Sequence, residues 1–378
     1  MTSTPRDDER AVPFVDLRSQ TESLGDALRD AVVRVVDSGV YVLGEEVASF
    51  EAAAARYLGV RHAVGVSSGS DALLMALVAS GIGRGDEVIT SPFSFFATAE
   101  SIIRSGAVPR FVDIDPETLN LDVGQVESAI GARTRAVLPV HLFGVPADVE
   151  RLDSICRARG LALVEDAAQA FGSRARGRPV GTGGASGCFS FFPTKVLGAL
   201  GDGGLVVTND DVIAERCRRL REHGAARRGE HVELGGNYRL DALQAAVLSA
   251  KLARVDEWIT SRRRHAAAYD AAFSGLEGVE VPRRGPLEDW NSAVYTIRVR
   301  HGRRDELRER LRERRVETAV YYERALHFQP ALSFLGNRAG SFPDAEKATA
   351  EVLSLPVFPE MTDAQLEWVI DGVRDFFA

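Results

Sequence analysis

Between residues 60 and 210 short β-branched runs and amphipathic segments take turns along the chain, and this alternation constrains the fold more than any other feature. HAVGV at 62–66 precedes the helical pattern DALLMAL at 71–77, and DEVIT at 86–90 precedes a helical stretch near 96–104. The series continues through PRFVDI, a helix near 122–130, RAVLPVHLFG, a helix near 147–159 and LALVED at 161–166. Strands joined by helical crossovers pair in parallel, so the expected fold class is α/β: a mostly parallel central sheet flanked by helices. Ahead of it the spacing predicts helices over 21–37 and 45–57, stopped by Gly39 and Gly59. Behind it come a helix at 211–222 and one long helix from about 240 to 273. A Pro/Gly/charge-rich turn at 281–289 then leads to a strand at 293–299, an Arg/Glu helix at 303–315, a strand at 316–321 and two terminal helices. The predicted organisation is a large domain over 1–255 and a smaller α+β domain over 256–378.

Several function classes are excluded by composition. The longest apolar stretch, Ala72 to Ala79, falls far short of the roughly 20 residues a bilayer span needs. Acidic residues number 54 against 46 basic, a net charge of −8 and the opposite of a nucleic-acid binder. MTSTPRDDER at 1–10 has no apolar core to act as a secretory signal, so a cytoplasmic location is expected. Cys156, Cys188 and Cys217 lie far apart with no CxxC, which predicts buried thiols, no disulfide framework and no metal site. In RRDELRERLRERR at 303–315 the arginines interleave with Asp305, Glu306, Glu309 and Glu313, which reads as a solvated helix face.

All but three of the 46 basic residues are arginine; the lysines are Lys195, Lys251 and Lys347. A lysine kept where arginine was available invites a chemical reason, because an ammonium can lose its proton and attack a carbonyl. Lys251 and Lys347 sit in helical patterns and are read as stems on apolar surface with their heads in water.

Three local patterns can carry chemistry. GVSSGSDALLMAL at 65–77 ends an apolar strand in hydroxyl and glycine residues and opens a helix at once. Such a junction aims free backbone N–H groups and a helix dipole at one spot, and Ser67, Ser68, Gly69 and Ser70 would cup a phosphate. A plain capped helix has the same signature, and GxSxG also puts Ser67 at the position of a hydrolase nucleophile. LALVEDAAQAFG at 161–172 places Glu165 and Asp166 at the C-terminal end of a strand, where α/β ligand sites gather, although Asp166 can equally be a helix cap for the next segment. GCFSFFPTKVLGALGDGGLVVT at 187–208 sets Lys195 among Phe189, Phe191, Phe192, Val196, Leu197 and Leu200. Desolvation there makes a better amine nucleophile; the alternative is a stem on apolar surface. Together the cup, the acid and the lone lysine are the parts of a pyridoxal phosphate site: lysine for the Schiff base, carboxylate to keep the pyridine nitrogen protonated. Phe95, in SPFSFFAT, would stack on the ring or fill the core.

Read as a whole, the chain resembles the DegT/DnrJ/EryC1/StrS family, the pyridoxal-phosphate sugar aminotransferases of fold type I, the aspartate aminotransferase fold. The matching blocks run from PFVDL at 13–17 to LSLPVFPEMT at 353–362 and include YVLGEEVASFE, SSGSDAL, GDEVITSPFSFFATAE, VHLFG, VEDAAQAFG, FSFFPTKVLGALGDGG, GGNYRLDALQAA and YYERALH. The resemblance implies that Lys195 is the Schiff-base lysine, that Asp166 partners the pyridine nitrogen and that Gln169 lies near the ring hydroxyl. It implies phosphate contacts from Ser68, Gly69, Ser70 and Ser190, ring stacking by Phe95, and Asn237 reaching the phosphate of a neighbouring subunit, hence a homodimer with shared active sites. Arg239, Tyr322 and His327 fall in blocks that line the sugar-nucleotide cleft. Some members replace the lysine with histidine and act as dehydratases; Lys195 groups this chain with the aminotransferases.

DAAQ and PTKVLGALGDGG resemble members that act at C3 of a keto sugar rather than C4, with L-glutamate as donor. The family pattern is departed from at Ser70, where threonine is commoner, at Ala325, and in the 223–236 loop, which lacks an aromatic near Gly229. The expected activity is transfer of an amino group from L-glutamate to C3 of a nucleotide-linked keto sugar. Alternatives are a 4-keto acceptor, a serine hydrolase using Ser67, and a non-catalytic cofactor-binding regulator.

Overall fold

Strands β1 (His62–Val66), β2 (Glu87–Thr90), β3 (Val108–Phe111), β4 (Thr134–Leu138) and β5 (Ala162–Asp166), followed by strands Ser186–Ser190 and Gly204–Thr208, make the central sheet. Their spatial order is β1, Gly204–Thr208, Ser186–Ser190, β5, β4, β2, β3, and only Gly204–Thr208 runs against the others. The structure, a computed structural model, describes residues 11–281, 283 and 288–378. The Met1–Arg10 stretch, read above for a leader, and part of the 281–289 turn lie outside the described residues. Helices α1 (Leu17–Leu24), α2 (Asp26–Ser38) and α3 (Gly44–Leu58) precede the sheet, and α4 (Gly69–Ala79) and α5 (Phe96–Arg104) follow β1 and β2.

Side-chain alternation along the strands feeds two covered faces. Val64, Val88, Ala136, Val164 and Val206 join one core with α4, whereas Ile89, Val137 and Leu163 join another with helices Val123–Ala129 and Val149–Arg159. Burial on both faces is why these strands read as near-continuous apolar runs. The three cysteines are free and buried in these layers. Among the described residues no helix is long and apolar enough to cross a membrane, and no three His, Cys, Asp or Glu side chains gather as metal ligands.

Four local expectations are revised. The 21–37 helix is two helices, because Gly25 takes a φ of 55° and donates its N–H to the Thr21 and Glu22 carbonyls, after which α2 restarts with Asp26 in its first turn. The long helix over 240–273 is also two, Ala242–Leu252 and Val255–Phe273. Lys251 closes the first while Asp256 and Glu257 open the second, charges that suit a helix end followed by a helix start. The 316–321 strand makes only single bridges, Val12 with Val316 and Ala319 with Ser354. The small sheet instead pairs Tyr295–Val299 with Val279–Glu280 on one side and Val352–Leu355 on the other, over a core of Tyr269, Phe273, Ile297 and Leu307. Finally, Lys251 does not reach water: it is 2% exposed, and its ammonium donates to the Gly198 carbonyl at 2.7 Å and to Gln20 at 3.2 Å. Arg304–Glu313 does present a solvated face, with Arg310–Glu313 and Arg312–Glu309 pairs.

Candidate active site

The C-terminal ends of the parallel strands open on one cavity of about 470 Å³. Its floor is the turn from β1 into α4. Ser68 is the N-cap of α4; its hydroxyl accepts the Asp71 N–H at 3.1 Å and its carbonyl accepts the Ala72 N–H at 3.0 Å. The N–H groups of Gly69 and Ser70 are thereby left at the cavity without a protein acceptor among the described residues. Ser190 closes over this turn so tightly that a Cβ on Gly69 would lie 2.6 Å from the Ser190 Cβ, which only glycine permits.

Lys195 enters from the loop after Ser186–Ser190, a loop tied down by the Lys195 N–H on the Phe192 carbonyl and the Ala199 N–H on the Phe191 carbonyl. Burial lowers its pKa to about 8, with the Asp166 charge opposing the shift. Among the described residues its Nζ takes no hydrogen bond, so the amine is available to a ligand. Asp166, at the end of β5, is itself buried, and burial pushes its pKa up against the pull of the Thr98 hydroxyl, the Ala168 N–H and Lys195. Oδ2 accepts from Thr98 Oγ1 at 2.8 Å and Oδ1 from the Ala168 N–H at 3.2 Å.

The neighbouring Glu165 faces the other way, as strand alternation requires. Its carboxylate accepts the N–H groups of Gly181, Gly183 and Gly184 and pairs with His141 Nε2 at 3.0 Å. His141 Nδ1 accepts the Ala147 N–H, so Nε2 carries the proton and donates to Glu165. Burial would raise the Glu165 pKa, but His141 and the glycine N–H groups lower it. Glu165 therefore anchors two loops behind the cavity and is not part of it.

Ser68, Gly69, Ser70, Phe95, Asp166, Gln169, Ser190, Lys195 and Tyr322 all line this one cavity. Asn237 and Arg239 do not; they lie on the strand-like stretch bridged to Glu222 and Val66. His327 does not either: it is buried between the Phe328 and Phe342 rings, with Nε2 3.1 Å from Glu346. The hydrolase reading of Ser67 fails, because its hydroxyl donates to Asp71 at 2.7 Å and no imidazole base holds it among the described residues. Sequence reasoning missed Phe14, Val15, Thr98 and Tyr321, which complete the walls. Phe14 and Val15 stand in the PFVDL block, Thr98 in GDEVITSPFSFFATAE and Tyr321 in YYERALH, so all four could have been found in those blocks.

The residues present fit pyridoxal phosphate: a glycine-permitted cup of open N–H groups for an anion, a carboxylate and a buried amine within one cavity of suitable size. The fold and site define a fold type I pyridoxal-phosphate enzyme. The DegT/DnrJ/EryC1/StrS aminotransferase family model matches residues 22–374. The chain is 44% identical over 373 residues to dTDP-3-amino-3,4,6-trideoxy-alpha-D-glucose transaminase of Streptomyces venezuelae, covering 99% of this chain and 97% of that one. It is also 44% identical over 366 residues to a pleiotropic regulatory protein of Geobacillus stearothermophilus, covering 97% and 98%. Among solved structures, that of Streptomyces venezuelae DesV in complex with a ketimine intermediate superposes with a TM-score of 0.95 at 44% identity, over 97% of this chain and 98% of that one. The chain belongs to the DegT/DnrJ/EryC1/StrS aminotransferase family and is a pyridoxal-phosphate-dependent sugar aminotransferase.

Proposed function

We propose that the enzyme moves an amino group from L-glutamate to C3 of a nucleotide-linked keto sugar in amino-sugar biosynthesis. The observation that carries the reading is the meeting of Lys195, Asp166 and the Gly69–Ser70 cup in one cavity. In this reading Lys195 binds the cofactor through Nζ, Asp166 faces its ring nitrogen, Gln169 its ring hydroxyl and Phe95 its ring face, while Ser68, Gly69, Ser70 and Ser190 hold its phosphate. Residues 1–255 form the cofactor-holding unit and 256–378 the smaller domain. When bound, pyridoxal phosphate supplies an electron sink for the substrate carbon that loses its proton.

The chain's own groups do the rest. Burial leaves the Lys195 amine easy to deprotonate, so Nζ can take a proton from one carbon and return it to another near neutral pH. Tyr322 accepts a hydrogen bond from Gln169 Nε2 at 3.0 Å, and burial pushes its phenol pKa up, so it keeps its proton to donate toward a substrate oxygen. Leu73, Val140 and Val294 wall the cavity with apolar surface that excludes water.

C3 is supported by the DAAQ block and by the likeness to the Streptomyces venezuelae transaminase, whose name gives a 3-amino product. A homodimer is supported by an apolar surface beside the site: Val33, Val36, Val40, Tyr41 and Val42 are about half exposed, as are Phe192 and Leu200 on the lysine loop. Val42 bridges Asp241 and the Leu200 N–H bonds Gln244, so the two parts of this surface flank one helix. Asn237 and Arg239, outside their own cavity, are the residues such a partner would receive. Incubation with 15N-glutamate and a 3-keto sugar nucleotide should place label on C3 of the product by NMR. Label on C4 of a 4-keto acceptor would support the runner-up acceptor, and no transfer from glutamate would remove the donor assignment. Light scattering should give the mass of two chains; a fully active monomer would remove the dimer.

A further inference from the structure

Asp166 is held by a side chain from a different layer of the fold. Thr98, 1% exposed in the first turn of α5, places Oγ1 2.8 Å from Asp166 Oδ2, and Ser94, 3% exposed, places Oγ 2.8 Å from that same Thr98 oxygen. The direction of the two bonds follows from proton counting. An ionised carboxylate only accepts, and a threonine hydroxyl has one proton to give. Thr98 must therefore donate to Asp166, and Ser94 must donate to Thr98. Each donor polarises the next, so the relay Ser94, Thr98, Asp166 is stronger than its separate bonds.

The relay also fixes geometry. The Ala168 N–H holds Oδ1 and Thr98 holds Oδ2, so the carboxylate plane cannot rotate without losing one of two hydrogen bonds in a place with little water to replace them. The titratable groups that act on Asp166 are Lys195 and His141, and Cys188 and Tyr322 in turn sense its charge. None of these four side chains donates a hydrogen bond to its carboxylate among the described residues, where His141 gives only its backbone N–H to the Asp166 carbonyl, so Thr98 is the one side-chain donor there. We propose that Thr98, oriented by Ser94, is a positioning residue for the reaction: it fixes the Asp166 carboxylate toward the ring nitrogen of the cofactor and acts only through Asp166. This rests on the reading that pyridoxal phosphate occupies the cavity.

The test uses holoenzyme of wild type, Thr98→Val, Thr98→Ser and Ser94→Ala. The readout is the pH midpoint of the visible band of the Lys195-bound cofactor, beside the rate of the glutamate half-reaction. With Asp166 released, the ring nitrogen keeps less positive charge, repels the proton on the lysine linkage less, and the midpoint should rise by roughly one pH unit in Thr98→Val. The half-reaction should slow about tenfold, Thr98→Ser should restore both values, and Ser94→Ala should move both the same way by less. Should Thr98→Val fail to fold, the Ser94→Ala shift and the Thr98→Ser rescue decide. Wild-type midpoints in Thr98→Val or, failing that, in Ser94→Ala would overturn the relay while leaving the cofactor reading intact. Wild-type protein that takes up no cofactor at all would overturn both.

Discussion

Gln169 Nε2 lies 3.0 Å from the Tyr322 hydroxyl, while its Oε1 accepts the Phe143 N–H, so one amide ties three segments around the cavity. The two partners differ in what they lose when the tie is cut. Gln169→Leu strands the buried Phe143 N–H and should cost about 2 kcal/mol, whereas Tyr322→Phe removes one acceptor and should cost about 1 kcal/mol. Denaturant unfolding that gave the reverse order would contradict this arrangement.

Cofactor capture should report the state of Lys195. With a pKa lowered by burial to about 8, the neutral amine rises steeply between pH 7 and pH 8 and levels off above pH 9. Stopped-flow addition of pyridoxal phosphate to apoenzyme should therefore speed up about fivefold from pH 7 to pH 8, by about twofold more by pH 9, and then plateau. A rate still climbing past pH 10, as for an ordinary lysine, would show that Lys195 is not desolvated.

Stability should carry the mark of Lys251. Burial lowers its pKa to about 8 in the fold, below its ordinary value of 10.5, so between these limits the unfolded chain binds a proton that the native chain does not. Unfolding free energy therefore rises with pH through that window, and Lys195 in the apoenzyme adds a second contribution of the same sign. Lys251→Met removes one of the two, leaves the Gly198 carbonyl unpaired, and should lose about 2 kcal/mol at pH 7 with a shallower slope above pH 8. Calorimetry across pH 7 to 10 that showed an unchanged slope would count against a buried ammonium.

Gly69 should tolerate no side chain. The added methyl of Gly69→Ala meets Ser190, whose Cα and Cβ are fixed in a sheet strand, and overpacking of this kind costs about 1–3 kcal/mol. If the strain falls on the cup, pyridoxal phosphate should bind roughly tenfold or more weakly, measured by fluorescence titration of apoenzyme. Wild-type affinity would mean that the cup does not hold the phosphate.

The central sheet was readable because parallel strands buried on both faces leave short apolar runs punctuated by helical periods, as in HAVGV before DALLMAL. Lys195 stood out because lysine is scarce in an arginine-rich chain, and Asp166 because strand ends in such sheets face ligands. Other features left no local trace. Val352–Leu355 follows its helix with no glycine or proline, and the break at Ala253 depends on charges that suit two helix ends as well as one helix face. Lys251, Thr98 and the pairing of Glu165 with His141 are long-range contacts, over separations that no periodicity spans. Burial of a polar side chain against a distant carbonyl or carboxylate is decided by tertiary packing, so a helical lysine such as Lys251 looks solvated until the fold is known.

Whether Lys195 carries the cofactor, and through it the amino group, can be read from the visible absorption spectrum of the purified protein, before and after excess L-glutamate and beside a Lys195→Ala variant. Wild type should show a yellow band that bleaches with glutamate, and the band should be absent or unresponsive in the variant. A wild-type protein that forms no band even with added pyridoxal phosphate, or a variant that turns over like wild type, would contradict the assignment.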